Sequence, residues 1–302
     1  MEKSSQQTKD DHRTRYYKGV LFLILSSFSF AVMNVSVRLA GDLPTYEKVF
    51  FRNFIAFFFA LAIVWRHHDS LPMYWDKQRA WYMFLRCAIG CIGVIANFYA
   101  IDHMVVADAS MLNKLSPFFV LIFSIFILNE KVTPFQLFCI VLAFVGVLFI
   151  VRPGFLGMRT LPAMIGVLSG MSAGFAYTCV RKLGLMGVPG PWIVLCFSLF
   201  SCVSMAVPMA VSFVPISGRS LFFLIMAGVG AAGGQFAITA AYTYAPAREI
   251  SIYDYSQLLF ITLLSWLLIG EVPDRFSWIG YAIIILGSFL LFFYNKRHLE
   301  DE

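Results

Sequence analysis

Charge is what this chain has least of. Asp, Glu, Lys and Arg make up 13% of its 302 residues, while 60% are hydrophobic. An ordinary soluble domain holds about 25% charged and about 45–50% apolar residues. The shortage points away from a soluble fold and toward lipid. Long polar linkers are missing too, which leaves no room for a separate soluble domain. No GxxxxGKS or GxxxxGKT phosphate loop occurs, so direct driving by ATP is not expected. The five histidines, His12, His67, His68, His103 and His298, fall in tails or loops without metal-ligand spacing. Neither a metal, a cofactor nor an enzymatic constellation is therefore expected. All six cysteines fall in apolar stretches; Cys87 and Cys91, one turn apart, read as small packing residues rather than a disulfide or metal pair. The first 17 residues are too polar for the apolar centre of a signal peptide and are expected to form a cytosolic tail. Residues 295–302 are expected to form a second one.

What is present is apolar sequence in long runs. A bilayer core about 30 Å thick needs about 20 apolar residues per helical span. Ten stretches qualify: 18–38, 46–65, 80–101, 105–128, 134–151, 161–180, 191–213, 220–243, 248–269 and 276–294. They are numbered here as spans 1 to 10. A membrane strand would instead alternate in polarity over about 10 residues. A helix satisfies its own backbone in lipid, so helices are expected. Basic residues gather on one side of the ten spans: Lys3, Lys9, Arg13, Arg15, Lys18, Arg66, Lys77, Arg79, Arg181, Lys182, Lys296 and Arg297. The opposite loops carry only Arg152, Arg159, Arg219 and Arg275. This bias places both termini in the cytoplasm, with the plasma (inner) membrane as the expected location. Because the basic residues are scattered over loops, no nucleic-acid partner is expected; the partners are the lipid bilayer and a small solute.

The chain also repeats itself at an offset of 141 residues. Gly93 matches Gly234, Ser110 matches Ser251, Ser124 matches Ser265, Glu130 matches Glu271, and Gly146 matches Gly287. Around the glutamates the two copies read FSIFILNEKVTPFQL and LSWLLIGEVPDRFSW. Five spans per copy is an odd number, so the second copy enters the membrane from the opposite side. The expected fold is all-α integral membrane, ten transmembrane helices as two inverted five-helix repeats, 18–151 and 161–294. Such a design places the substrate near the midplane, at the repeat interface.

The run ADASMLNKLSPFFVLIFSIFILNEKVT followed by GVLFIVRPG resembles the drug/metabolite transporter superfamily in its ten-helix EamA type. RNFIAFFFALAI from Arg52 and the second copy from Glu249 to Glu271 fit the same family. The SP, NEK and IVRP elements are also similar to the branch with bacterial S-adenosylmethionine carriers and related animal solute carriers. The resemblance implies an alternating-access carrier with a central cavity lined by spans 1–4 and 6–9. Spans 5 and 10 would lie outside that ring, as support or at a homodimer contact.

Within the spans, a few polar residues are costly to place. An ionised group at mid-membrane costs about 2.5–3.5 kcal/mol on insertion scales. Lys114 falls near the centre of span 4, and Pro117 three residues later frees the carbonyl of Asn113. Lys114 either pairs with a fixed acid or lines the transport cavity; the cavity role is the expectation. The natural acid is Asp254 in span 9, which matches Asn113 at the repeat offset. At a rise of about 1.5 Å per residue, the two levels differ by less than about 10 Å. Tyr253, Tyr255 and Gln257 add polar surface beside Asp254. Arg38, Glu47 and Arg52 form a second candidate group near the outer ends of spans 1 and 2. Arg52 reads equally as an anchor reaching outward or a group at the cavity mouth. Asn97 in span 3 is a cavity donor or an interhelical hydrogen bond, and Arg86 reads as an anchor near the inner end. Gly166, Gly170 and Gly174 in span 6, and Gly230 and Gly234 in span 8, mark close helix packing.

A membrane enzyme lacks its reactive constellation here, and a channel lacks an obvious filter. The expectation is a secondary active or exchange transporter of a small polar metabolite. Its cargo would bear a carboxylate and be amino-acid-like or zwitterionic. The alternative is a channel-like or structural membrane protein.

Overall fold

The computed structural model describes residues 2–66, 74–129, 131–151, 157–244 and 251–300. The expected loop at His67, His68 and Asp69, together with Glu130, Arg152 and Glu249, lies outside them. Every element described is helical. Span 1 belongs to Glu2–Leu39, span 2 is Thr45–Arg66, and span 3 is Lys77–His103. Span 5 is Pro134–Val151, span 6 Gly157–Leu185, span 7 Gly190–Val211, span 8 Gly218–Tyr244 and span 10 Arg275–Glu300. Helical backbone continues through residues 2–17 and 295–300, the polar ends read as tails.

Spans 4 and 9 depart from the expected continuous helices. Span 4 is two segments, Val106–Asn113 and Ser116–Ile127, joined by a turn at Lys114 and Leu115. Pro117 has no N–H to donate and disfavours helical backbone at the residue before it. It sits instead in the first turn of the second segment, where a missing N–H costs nothing. Span 9 opens with a tight 3-10 turn, Ser251–Tyr255, and becomes α-helical only over Ser256–Ile269. Nine of the described helical spans are long and apolar enough to cross a membrane, and Tyr253–Ile269 is a shorter apolar one.

The helix ends repeat at the same offset. Asn129 and Gly270, 141 residues apart, both stop their helices with left-handed backbone, at φ of 56° and 77°. Beyond Gly270 the Glu271 N–H reaches back to the Ser265 carbonyl, closing the helix end. Thr133 and Asp274, again 141 apart, cap the next helices: the Gln136 N–H donates to Thr133 Oγ1 at 3.3 Å and the Ser277 N–H to Asp274 Oδ1 at 2.9 Å.

Packing follows the same exchange. Span 1 lies against span 8 and span 3 against span 6; swapping the two halves turns one pair into the other. Span 2 packs on span 7, and span 5 on span 10, each its own counterpart. Between spans 5 and 10, a Cβ on Gly146 would meet the Gly280 carbonyl at 2.9 Å. The matching contact is Gly287 against the Cys139 carbonyl, at 3.4 Å. Small residues at these points let the backbones touch, which drives helix association where lipid is as apolar as the side chains. All six cysteines are free thiols.

Candidate functional site

The two broken helices meet. Lys114 Nζ forms an ion pair with Asp254 Oδ2, with the side chains 14% and 24% exposed. The Ser27 hydroxyl in span 1 lies 3.2 Å from the Asp254 carbonyl and 3.4 Å from its Oδ1. The Asn113 amide donates to Ser169 Oγ in span 6 at 3.1 Å. Backbone away from regular helix is tolerated at membrane depth only where protein or water satisfies it. Here both breaks face inward, and both are held by a hydroxyl of the first span of the opposite repeat.

The glycines of span 6 bring it against the turn of span 4. A Cβ on Gly170 would meet the Leu112 carbonyl at 2.5 Å, and one on Gly174 the Ser116 carbonyl at 2.9 Å. Span 10 grips both breaks from outside the ring. Its Tyr281 hydroxyl donates to Asp108 Oδ1 at 2.5 Å, and its Ser288 hydroxyl bonds that of Tyr255.

The remaining expected residues divide. Gln257 is buried next to the break. Tyr253 meets Tyr16 through the two hydroxyls at 3.3 Å, toward the end of span 1 that holds the N-terminus. The Tyr255 hydroxyl points to Ser288, out of the ring, rather than to Lys114. Asn97 is 8% exposed, and its Oδ1 finds no hydrogen-bond donor. Arg52 lies inside, its Nε 3.4 Å from Met33 Sδ and its Nη1 3.2 Å from Asn53 Oδ1.

Arg38, Glu47 and Arg52 do not form the group expected. Each of the first two has another partner. Arg38 Nη2 pairs with Glu271 Oε1 at 2.7 Å, and Glu271 Oε2 accepts the Val106 N–H at 3.2 Å. Glu47 Oε1 accepts the Val214 N–H at 2.8 Å. Lys48, only 1% exposed, pairs with Asp102 Oδ1 at 2.6 Å. These contacts tie spans 1, 2, 3, 4 and 9 together at the end away from the N-terminus. The sequence reading passed over Lys48 and Asp102, because each stands at the edge of an apolar run, where a solvated charge is the ordinary expectation.

The sequence reading makes Arg86 an anchor and passes over Tyr177. Arg86 is not an anchor at a helix end: its guanidinium stacks over Phe197 in span 7, 4.3 Å from the ring centroid. Tyr177 in span 6 keeps 54% of its surface accessible. It lies within electrostatic reach of Arg52, Arg86 and Asp254. An open groove of about 370 Å³ lies elsewhere, between spans 9 and 10, lined by Leu259, Thr262, Leu263, Trp266, Val272 and Trp278. It has no charged group to recognise a polar ligand, so the interior around Lys114 is the candidate site. Among the described residues, no cluster of His, Cys, Asp or Glu is placed to hold a metal.

Two inverted helical repeats thus meet at broken helices around interior charges. The chain belongs to the EamA-like transporter family, whose model matches residues 17–152 and again 160–293. It is 30% identical over 276 residues to the pseudopaline exporter CntI of Pseudomonas aeruginosa strain UCBPP-PA14, covering 90% of this chain and 95% of that one. It is 25% identical to the riboflavin transporter of Rhizobium johnstonii, covering 92% of each chain. A crystal structure with 16% identity superposes with a TM-score of 0.65 over 92% of this chain and 98% of that one, a likeness of fold. The protein is thus a multi-span membrane transporter of a small molecule, and not an enzyme.

Proposed function

We propose that the protein is a secondary active or exchange transporter whose cargo is a small polar metabolite bearing a carboxylate. The observation that carries this reading is the Lys114–Asp254 pair at two facing helix breaks. An ion pair isolated from water is expensive, and well-packed apolar residues often replace one without loss of stability. Both side chains of this pair keep some exposure, which leaves them open to approach. A solute carboxylate can approach Lys114, and a solute amine can approach Asp254. The named cargoes of the relatives differ, which supports a small metabolite without selecting one.

Alternating access follows from the same geometry. The Arg38–Glu271 and Lys48–Asp102 pairs close one end in this state. Exchange of the halves would open that end and close the other, with Lys114, Asn113, Asp254 and Gln257 near the pivot. The bias of the basic loops supports cytoplasmic termini and a location in the plasma (inner) membrane. Spans 5 and 10 support the ring and offer the face for a homodimer.

Counterflow tests the reading. Protein in liposomes preloaded with unlabelled amino acids and organic acids should take up the matching labelled solute saturably. Lys114→Met should cut that flux about tenfold or more, the effect of losing about 1.4 kcal/mol of binding. A large unsaturable current, or full flux in folded Lys114→Met, would exclude it.

A further inference from the structure

Among the described residues, two arginines inside the ring have no acid. Arg52 donates to a thioether and to a neighbouring amide, and Arg86 stacks on Phe197 with its Nε buried and unpartnered. The two guanidinium groups stand close enough to repel one another, and both interact with the Tyr177 phenol. Nearby carboxylates are committed elsewhere. Asp254 holds Lys114, Asp102 holds Lys48, Glu271 holds Arg38, and Asp108 accepts from Tyr281. Three cations, Arg52, Arg86 and Lys114, thus face one carboxylate, Asp254. Among the described residues, the interior carries two positive charges in excess.

Like charges are not gathered in a membrane interior without a ligand or partner that offsets them. The details favour a planar anion. Stacking on Phe197 covers one face of the Arg86 guanidinium, and its buried Nε has no hydrogen-bond partner, so a planar anion would satisfy a donor that now has none. Gly90, one turn along span 3, leaves the space this guanidinium fills, since a Cβ there would collide with Nη1. Tyr177, half exposed and within electrostatic reach of both guanidinium groups, supplies a further donor in its hydroxyl.

We propose that Arg52, Arg86 and Tyr177 form an anion subsite for a second carboxylate of the solute, so that the preferred cargo is a small di- or tricarboxylate. This rests on the reading of Lys114 as a cavity charge, and it adds a second, separate point of attachment. A solute with two net negative charges neutralises the interior. A monocarboxylate, or a zwitterion of no net charge, leaves part of the repulsion in place.

The test uses the full chain in detergent, with succinate, tricarballylate, lactate and L-alanine as probes. Thermal stabilisation is measured over a concentration series of each. Succinate and tricarballylate should stabilise the protein at concentrations well below those required of lactate or L-alanine. Arg86→Gln should weaken the succinate response about tenfold or more, as removal of one partner of an enclosed charge pair does. Arg86→Lys should recover only part of it, because an ammonium lacks the planar fork. Tyr177→Phe keeps the ring and volume, and serves as the second variant if Arg86→Gln is not monodisperse; it should weaken succinate more than lactate. Equal responses to lactate and succinate, both unchanged in these variants but lost in Lys114→Met, would overturn the subsite and leave the carrier reading standing. No response to any of the four probes would overturn the subsite. A succinate response that survives in Lys114→Met, Arg86→Gln and Tyr177→Phe alike would overturn both readings.

Discussion

Spans 4 and 9 occupy equivalent places and break at equivalent residues, yet they break for different reasons. In span 4 the cause is written in the chain: Pro117 cannot continue a helix begun at Val106. Span 9 has no proline within Ser251–Ile269. Its tight turn runs over Ser251–Tyr255, and serine and aspartate are residue types that favour turns over helix interiors. The surroundings differ as well. Span 4 is backed by Gly170 of span 6, whose counterpart at the repeat offset is Ser29 of span 1. The break of span 9 meets instead a hydroxyl, Ser27. One break is locked by backbone contact, and the other is held by side-chain hydrogen bonds that water or solute can replace. Of the two, span 9 is thus the more easily moved.

Mutations that exchange these features should break the comparison or sharpen it. Gly170→Ala is expected to have the largest effect on stability. Its Cβ would lie 2.5 Å from the Leu112 carbonyl, a backbone atom that cannot turn aside. Overpacking of this kind costs about 1–3 kcal/mol. At the matching position Ser29→Ala removes only a hydroxyl bonded to its own helix, at Leu25, and should stay within about 0.5 kcal/mol. Reversible unfolding of both variants in mixed micelles checks the difference. Similar losses in the two would mean that the breaks are equally locked.

Pro117→Ala should be milder in stability and visible in transport. Proline in the first turn of a segment is not strained, so stability should change by less than about 1 kcal/mol. The alanine, however, permits a continuous span 4, which turns Lys114 along the helix and away from Asp254. Flux should fall several-fold, in line with the roughly 1–3 kcal/mol typical of coupling between two conformations. Wild-type flux in Pro117→Ala would mean that surrounding packing, and not the proline, makes the break.

Much of the architecture was legible because lipid imposes simple rules. The lengths of the apolar runs gave the spans, and the 141-residue offset gave the exchange of packing partners seen between spans 1 and 8 and spans 3 and 6. Lys114 stood out because an ammonium in such a run demands a reason, and the offset pointed to Asp254. The turn in span 9 was not legible, since no residue in SIYDYSQ forbids a helix. Tyr255 misled because its side-chain direction depends on a turn the sequence does not announce, and its hydroxyl meets Ser288. Arg86 misled in the opposite sense. Its distance from the helix end suggested an anchor, whereas Phe197, 111 residues away in the chain, holds it inside. A signal existed in Gly90, one turn on, but a glycine's purpose is visible only when the atom filling its space is known. Lys48 and Asp102 stand at the edges of apolar runs, where charge is ordinary, so nothing in the sequence singled out their pairing.

The central claim is that Lys114 acts on the solute and is not merely half of a structural pair. The double variant Lys114→Met with Asp254→Leu separates these roles, because it removes both charges and leaves neither unpaired. Counterflow in liposomes is measured beside Lys114→Met, with melting temperature as the check on folding. The expected result is a double variant as stable as the native protein, yet without saturable flux. Recovery of flux together with stability would contradict the account and leave the pair a structural one.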